Sequence, residues 1–156
     1  MSHPDVNSKA PDFELPATTQ EKIRLSEHLR QGPVLLLFYP LDWSPVCTNE
    51  LCGLRDGLRE YQSLGVQVLG ISVDSIFSHK AFAEKLGIAF PLLSDFNKEV
   101  CRAYGALHDE ILGLKGIAKR SAFLIDRQGI IRYRWVSDDL GALPDFQAIK
   151  AACASL

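Results

Sequence analysis

The chain has 156 residues, 47% hydrophobic and 23% charged; this suits one globular domain over residues 1–156 and argues against disordered and fibrous architectures. Lys+Arg total 17 against Asp+Glu 19, a net charge of −2 with no basic block, which removes the electrostatic footprint of a nucleic-acid binder. The longest apolar run, Val34 to Tyr39, is far too short to span a bilayer. The polar stretch from Met1 to Ala10 lacks the apolar core of a secretory signal, so a cytoplasmic protein with no membrane partner is expected.

Pro4 to Pro11 reads as a loose lead-in. Phe13 and Leu15 then alternate with polar residues, Ala17 to Gln20 is turn-like, and Ile23 and Leu25 alternate again, which predicts a half-buried N-terminal β-hairpin. Ser26 is positioned to cap a helical turn over Glu27–Arg30, closed by Gly32-Pro33. Val34 to Tyr39 is apolar on both faces, as a central parallel strand requires, and Pro40 stops it. After a helical segment a second such run covers Val66 to Val73. A helix around Ser78–Leu86, a short strand near Pro91–Leu93 and a helix near Asn97–Tyr104 follow. The mixed-charge segment from Leu107 to Lys119 reads as a mobile loop. Strands at Ala122–Asp126 and Ile130–Val136 flank a turn at Arg127-Gln128-Gly129, and Pro144 suits the first turn of a final helix, Asp145–Cys153. Strand–helix–strand units followed by a hairpin and a closing helix indicate an α/β fold, a central mixed β-sheet flanked by helices. Periodicity does not choose among the folds sharing that pattern.

Four cysteines, at 47, 52, 101 and 153, are too few for a disulfide scaffold in a chain able to bury its own core; in a reducing compartment cysteines are packing residues, metal ligands or catalysts. The informative stretch runs from Tyr39 to Cys52. A buried strand ends, Pro40 and Pro45 shape a tight loop, and Cys47 opens a helix. At about 100° per residue, Leu51, Leu54 and Leu58 fall within about 40° of Cys47, so its side chain faces the core. Its sulfur then sits beside the unpaired first-turn N–H groups, which favour a thiolate. The carboxyl end of a parallel strand running into a helix N-terminus is also where open α/β sheets place ligands.

Pro40-x-x-x-Ser44-x-x-Cys47 resembles the peroxiredoxin active-site pattern Pro-x-x-x-Thr/Ser-x-x-Cys. Phe38-Tyr39-Pro40, Cys47-Thr48-Asn49-Glu50 and the block Lys119-Arg120-Ser121 through Arg132 are similar to the same family. Similarity runs from Pro11-Asp12-Phe13 onward. Ser44 departs from the commoner threonine, keeping the hydroxyl but not the methyl that stiffens its rotamer. The resemblance implies a thioredoxin-like fold and a thiol-dependent peroxidase that reduces hydrogen peroxide and organic hydroperoxides with no metal, haem or flavin. It implies Cys47 as the peroxidatic nucleophile, oxidised to a sulfenic acid. Arg120 would stabilise the thiolate and hold the peroxide oxygens, Ser44 would hydrogen-bond sulfur and peroxide, and Pro40 would shield the sulfur from water. Two readings stand for Glu50: stabilising the helix dipole, or positioning Arg120. Two stand for Trp43 as well: packing, or one wall of the peroxide pocket.

Cys52 lies five residues beyond Cys47, a spacing similar to the Q-type peroxiredoxins (the bacterioferritin-comigratory-protein branch), where the second cysteine resolves the first. Five residues of helix rise about 7.5 Å with side chains about 140° apart, so the first turns must unwind before a bond forms. Gly53 and Gly57 lie in that helix, either loosening it or allowing close packing. Alternatively, Cys52 is structural and an external thiol resolves the sulfenate, as in one-cysteine members of the alkyl hydroperoxide reductase E type. Cys101 suits a core role, and Cys153 lacks the Val-Cys-Pro context of a resolving site. The implied reductants are thioredoxin, glutaredoxin or a low-molecular-weight thiol, and the implied state a monomer or homodimer. Two rivals remain, a non-catalytic thioredoxin-like binding or chaperone module and a cysteine metal site; the scattered histidines and the absent Cys-x-x-Cys weigh against the latter.

Overall fold

The computed structural model describes residues 4–156; the first three residues of the Met1–Ala10 stretch lie outside that range. Five strands form the central sheet: β3 (Val34–Phe38), β4 (Gln67–Ser72), β5 (Leu92–Ser94), β8 (Ser121–Ile125) and β9 (Ile131–Val136), in the order β5-β4-β3-β8-β9. β3 runs parallel to β4 and antiparallel to β8, so the sheet is mixed, as expected. Every residue of β3 and β8 is buried.

Strand alternation divides the core between the two faces. Leu36 and Phe38 point to one face and join Phe123 and Tyr104 in a cluster of edge-on and tilted aromatic contacts. Leu35, Leu37 and Tyr39 point to the other, where they meet Leu51 and Leu54 of α2 (Pro45–Ser63), Phe82 of α3 (Ile76–Leu86) and Ile149 of α5 (Phe146–Ala154). The short helices α1 (Leu25–His28) and α4 (Glu99–Ala103) pack on the first face. The expected N-terminal hairpin is present as β1 (Glu14–Pro16) and β2 (Lys22–Arg24), with Leu15 opposite Ile23.

Five expectations need correction. The lead-in is tied down: Asn7 N donates to Ile131 O at 2.7 Å, Ala10 N to Gly129 O at 2.8 Å, and Ile131 N to Ser8 O at 3.0 Å. A turn-rich segment beside an open strand end satisfies both sets of backbone groups. Ser26 is not a cap but lies inside α1; its amide, with that of Phe13, donates to Asp12 Oδ1 at 2.9 Å, so the acceptor comes from fourteen residues upstream. The Leu107–Lys119 segment is not one irregular loop, because β6 (Leu107–His108) and β7 (Ile117–Ala118) pair antiparallel at its base. Pro144 precedes the cap of α5: Asp145 is the N-cap, its carboxylate accepting from Gln147 N and Ala148 N. α3 also begins ahead of the expected Ser78, at Ile76, because Ser75 supplies its cap.

The same capping chemistry is buried at α4. Asp95 Oδ1 accepts from Val100 N at 3.2 Å and Oδ2 from Cys101 N at 2.7 Å, away from water. In Asp95→Ala both amides lose their acceptor in the interior, and stability should fall by about 1–3 kcal/mol. Urea unfolding checks this as a lower midpoint at unchanged m-value.

Candidate active site

The site stands at the carboxyl end of β3. Tyr39 N still donates to Ile71 O at 3.0 Å, and Pro40 then ends the pairing. The chain crosses a short loop and enters α2 with Ser44 as N-cap and Pro45 at the first helical position. Cys47 therefore falls in the first turn and points inward, fully buried with Leu51 and Leu54, as the helical spacing predicts.

Register delivers the arginine. Phe38 pairs with Ser121 across the β3–β8 ladder, so Arg120, one residue before β8, emerges beside the end of β3. Its side chain is 1% exposed and every arm of its guanidinium has a partner. Nη2 donates to Cys47 Sγ at 2.9 Å, Nη1 to Glu50 Oε1 at 3.0 Å, and Nε to Leu140 O at 2.5 Å. In sequence Arg120 looks like any surface arginine; the fold makes it the cation of a buried triad.

Glu50 is 2% exposed and lies one helical turn after Cys47. Its Oε1 forms an ion pair with Arg120. Its second oxygen, Oε2, is buried without a hydrogen-bond partner. Burial pushes its carboxyl up to about 7, a cost that the neighbouring Arg120 charge only partly offsets. The guanidinium is shared with the sulfur and the Leu140 carbonyl, and Oε2 receives no donor; the carboxylate is therefore under-compensated.

Ser44 is beside the sulfur but engaged differently from expectation. Its Oγ accepts from Cys47 N at 3.4 Å, and it makes no hydrogen bond to Sγ. Acting as N-cap commits the oxygen as an acceptor to the first-turn amide, while the hydroxyl hydrogen remains free to donate. Pro40, Ser44 and Arg120 line one end of a groove of about 230 Å³ whose remaining walls are apolar, among them Leu112, Ile117 and Leu140. Leu112 is 80% exposed. Trp43 does not line this groove; it is 52% exposed and packs edge-on against Phe82, with ring centroids 5.0 Å apart.

The other cysteines separate by environment. Cys52 is partly exposed on α2, on the side away from Cys47. Cys101 is buried beside Asp95, and burial first, then that carboxylate, drives its thiol well up. Burial pushes Cys153 up to about 11. Neither environment favours a thiolate, in keeping with packing roles for both.

A first-turn cysteine held against a buried cation at the open end of a mixed sheet defines a class, the thiol-based redox proteins built on the thioredoxin-like scaffold. The profile of the AhpC/TSA family matches residues 6–134, and the chain belongs to this family, the peroxiredoxins. The chain is 42% identical over 134 residues to a putative peroxiredoxin bcp of Coxiella burnetii, covering 84% of this chain and 87% of that protein. It is 40% identical over 131 residues to alkyl hydroperoxide reductase E of Mycobacterium tuberculosis, covering 83% of each. The crystal structure of peroxidoxin BcpB from Mycobacterium tuberculosis superposes with a TM-score of 0.87 at 32% identity, covering 99% of both chains. The chain spans about half, 53%, of the length of the chloroplastic 2-Cys peroxiredoxin BAS1 of Spinacia oleracea, to which it is 38% identical. Among the described residues no helix is long and apolar enough to cross a membrane.

The state of Glu50 gives a signed prediction. An acid raised from 4.5 to about 7 on folding binds its proton more tightly in the native state. Its stabilising protonated form is fully present below about 4.5 and is lost as pH rises through about 7. Between those values the wild type should lose stability relative to Glu50→Gln, whose side chain does not titrate. Urea midpoints of the two proteins across that window measure the divergence.

Proposed function

We propose that the protein is a thiol-dependent peroxidase in which Cys47 is the peroxidatic nucleophile. The observation that carries this reading is the 2.9 Å contact between Arg120 Nη2 and Cys47 Sγ, a fixed cation against a buried sulfur at a helix N-terminus. The thiolate attacks one peroxide oxygen, an S–O bond forms as the O–O bond breaks, and the departing oxygen leaves as water or an alcohol after taking up a proton. Cys47 becomes a sulfenic acid. Arg120 supplies donors where charge grows on the leaving oxygen, the hydroxyl of Ser44 aligns the peroxide, and Pro40 offers no N–H to compete. Glu50 positions Arg120 through the 3.0 Å ion pair.

Both hydrogen peroxide and organic hydroperoxides suit the groove. A peroxide head at Arg120 and Ser44 directs an alkyl substituent along Leu112, Ile117 and Leu140. Cys52 resolves the sulfenic acid in this reading: its thiol attacks the oxidised sulfur, a disulfide forms and water leaves. Thioredoxin, glutaredoxin or a low-molecular-weight thiol then returns both cysteines to thiols, which fits a reducing compartment such as the cytoplasm.

The experiment that tests the reading is rapid mixing with one equivalent of hydrogen peroxide, followed by mass spectrometry. Wild type should consume the oxidant and yield a Cys47–Cys52 bond. Cys52→Ser should stop at a sulfenic acid on Cys47, and Cys47→Ser should leave the peroxide in solution. Consumption undiminished in Cys47→Ser overturns the assignment.

Gly53 and Gly57 bear on the second step. A Cβ added at either meets no atom within 4 Å, so close packing does not account for either glycine. Each weakens the helix by about 1 kcal/mol relative to alanine, in the turns of α2 that follow directly on Cys52. Gly53→Ala/Gly57→Ala should therefore raise stability by about 1–2 kcal/mol and slow disulfide formation about tenfold. Oxidation of Cys47 should stay within about twofold of wild type, and stopped-flow fluorescence resolves the two phases.

A further inference from the structure

The loop that carries Pro40 and Ser44 is held from behind. Asp42 is 6% exposed, and its carboxylate is the hub of a buried network. Oδ1 accepts from Tyr39 OH at 2.7 Å; Oδ2 accepts from Ser78 Oγ at 2.8 Å and lies 2.8 Å from His79 Nδ1. The Asp42 amide donates to Asp74 Oδ2 at 2.8 Å, an oxygen that also accepts from Ser72 Oγ at 2.5 Å. His79, fully buried, lies through Nε2 2.9 Å from Leu93 O. A carbonyl oxygen only accepts, so Nε2 carries a hydrogen, and the 2.8 Å contact between Nδ1 and the carboxyl oxygen of Asp42 is bridged by a hydrogen shared between the two groups. Burial first, and then the Asp42 charge, drives the Tyr39 hydroxyl well up, which keeps it a donor. Asp42, Asp74 and His79 present ligand-type atoms within 4.8 Å of one another, and the hydrogen bonds described account for that closeness.

These contacts join the end of β3, the ends of β4 and β5, and the first turn of α3 to a single loop residue. The next residue, Trp43, has φ +72°, a left-handed conformation unfavourable for a bulky side chain. Such a residue persists only where its surroundings over-determine it. Asp42, anchored through both backbone and side chain, supplies that determination. The loop then turns Ser44 into its cap position and lays Pro40 along the groove.

We propose that Asp42 and His79 are a positioning pair for the peroxide-binding loop, and that their contact sets the rate of Cys47 oxidation. The inference rests on the peroxidase reading. Neither residue touches the sulfur, so it predicts a selective defect. Asp42→Asn should lower the second-order rate constant with hydrogen peroxide about 10- to 100-fold, the scale of a small misplacement of reacting groups. Alkylation of Cys47 by iodoacetamide, followed by peptide mass spectrometry, should stay within about twofold, because Arg120 still faces the sulfur. In a Trp135→Phe background, acrylamide should quench Trp43 more strongly. His79→Gln should match Asp42→Asn, and the double variant should be no slower than the slower single, because the two act as one unit. If His79→Gln fails to fold, Ser78→Ala removes one donor to the hub and should cost about fivefold. Peroxide rates within twofold of wild type in both Asp42→Asn and Ser78→Ala overturn the pair. So do additive losses in the double variant, or peroxide and alkylation rates that fall together. An active wild type separates those outcomes from failure of the peroxidase reading, which a wild type that leaves peroxide unconsumed would show.

Discussion

One guanidinium organises this site. Arg120 faces the sulfur of Cys47, the carboxylate of Glu50 and the carbonyl of Leu140; Arg120, Cys47 and Glu50 are buried and Leu140 is half-buried. A planar cation with donors in fixed directions can serve three acceptors at once, which an ammonium on a flexible stem cannot do with the same geometry. Burying such a charge is unfavourable by several kcal/mol unless each donor is satisfied, and removing one partner of a buried pair costs about 3–5 kcal/mol. The ring of acceptors is therefore part of the fold as well as of the chemistry. It also leaves one oxygen of Glu50 without a donor, so the site retains an unrelieved electrostatic cost, of the kind that functional sites carry when the rest of the structure compensates.

The sheet is what makes the triad possible. Cys47 and Arg120 lie 73 residues apart, and their meeting depends on the β3–β8 register that places Phe38 opposite Ser121. A slip of one residue would send the side chains of β8 to the opposite face and carry Arg120 away from α2. The register is secured by burial on both faces, Phe123 with Tyr104 and Phe38 on one side, Leu124 with Leu35 and Leu37 on the other. Core packing far from the sulfur thus fixes the position of its cation.

What was legible in the sequence follows from how local each feature is. Val34–Tyr39 announced a central strand because it is apolar at every position, and the leucine spacing after Cys47 fixed the inward face of α2. The Pro40, Ser44, Cys47 and Arg120 pattern, through its resemblance to the family motif, pointed to one region of the fold, and the structure brings these residues together there. Ser26, Pro144 and the lead-in were misread for the same reason in reverse: their true partners, Asp12, Asp145 and the β8–β9 turn, are chosen by tertiary placement or by a competing cap one residue away. The Leu107–Lys119 pairing spans only two residues on each side, too short for alternation to register. The Asp42 network was invisible because its members come from β3, β4, β5, α3 and the loop itself; an aspartate beside Trp43 and a histidine in a helix carry no local signal.

The proposed chemistry asks two opposite things of one short region. Attack on peroxide requires Cys47, Arg120 and the loop to be fixed beforehand, since a displacement of about 1 Å in a reacting group costs orders of magnitude in rate. Resolution by Cys52 requires the same helix turns to come apart, because an intact helix keeps the two sulfurs on divergent sides. The structure separates the demands in space. Rigidity is concentrated on the β3 side of the sulfur, in the Asp42 hub and the Arg120 triad. Weakness is concentrated further along α2, where a Cβ at Gly53 or Gly57 would meet nothing outside the helix's own backbone and each glycine lowers helix stability. In the proposed chemistry, oxidation alters the balance between them: a sulfenic acid carries no full negative charge for Arg120 to hold, so the contact that anchors the first turn weakens once the first step is complete.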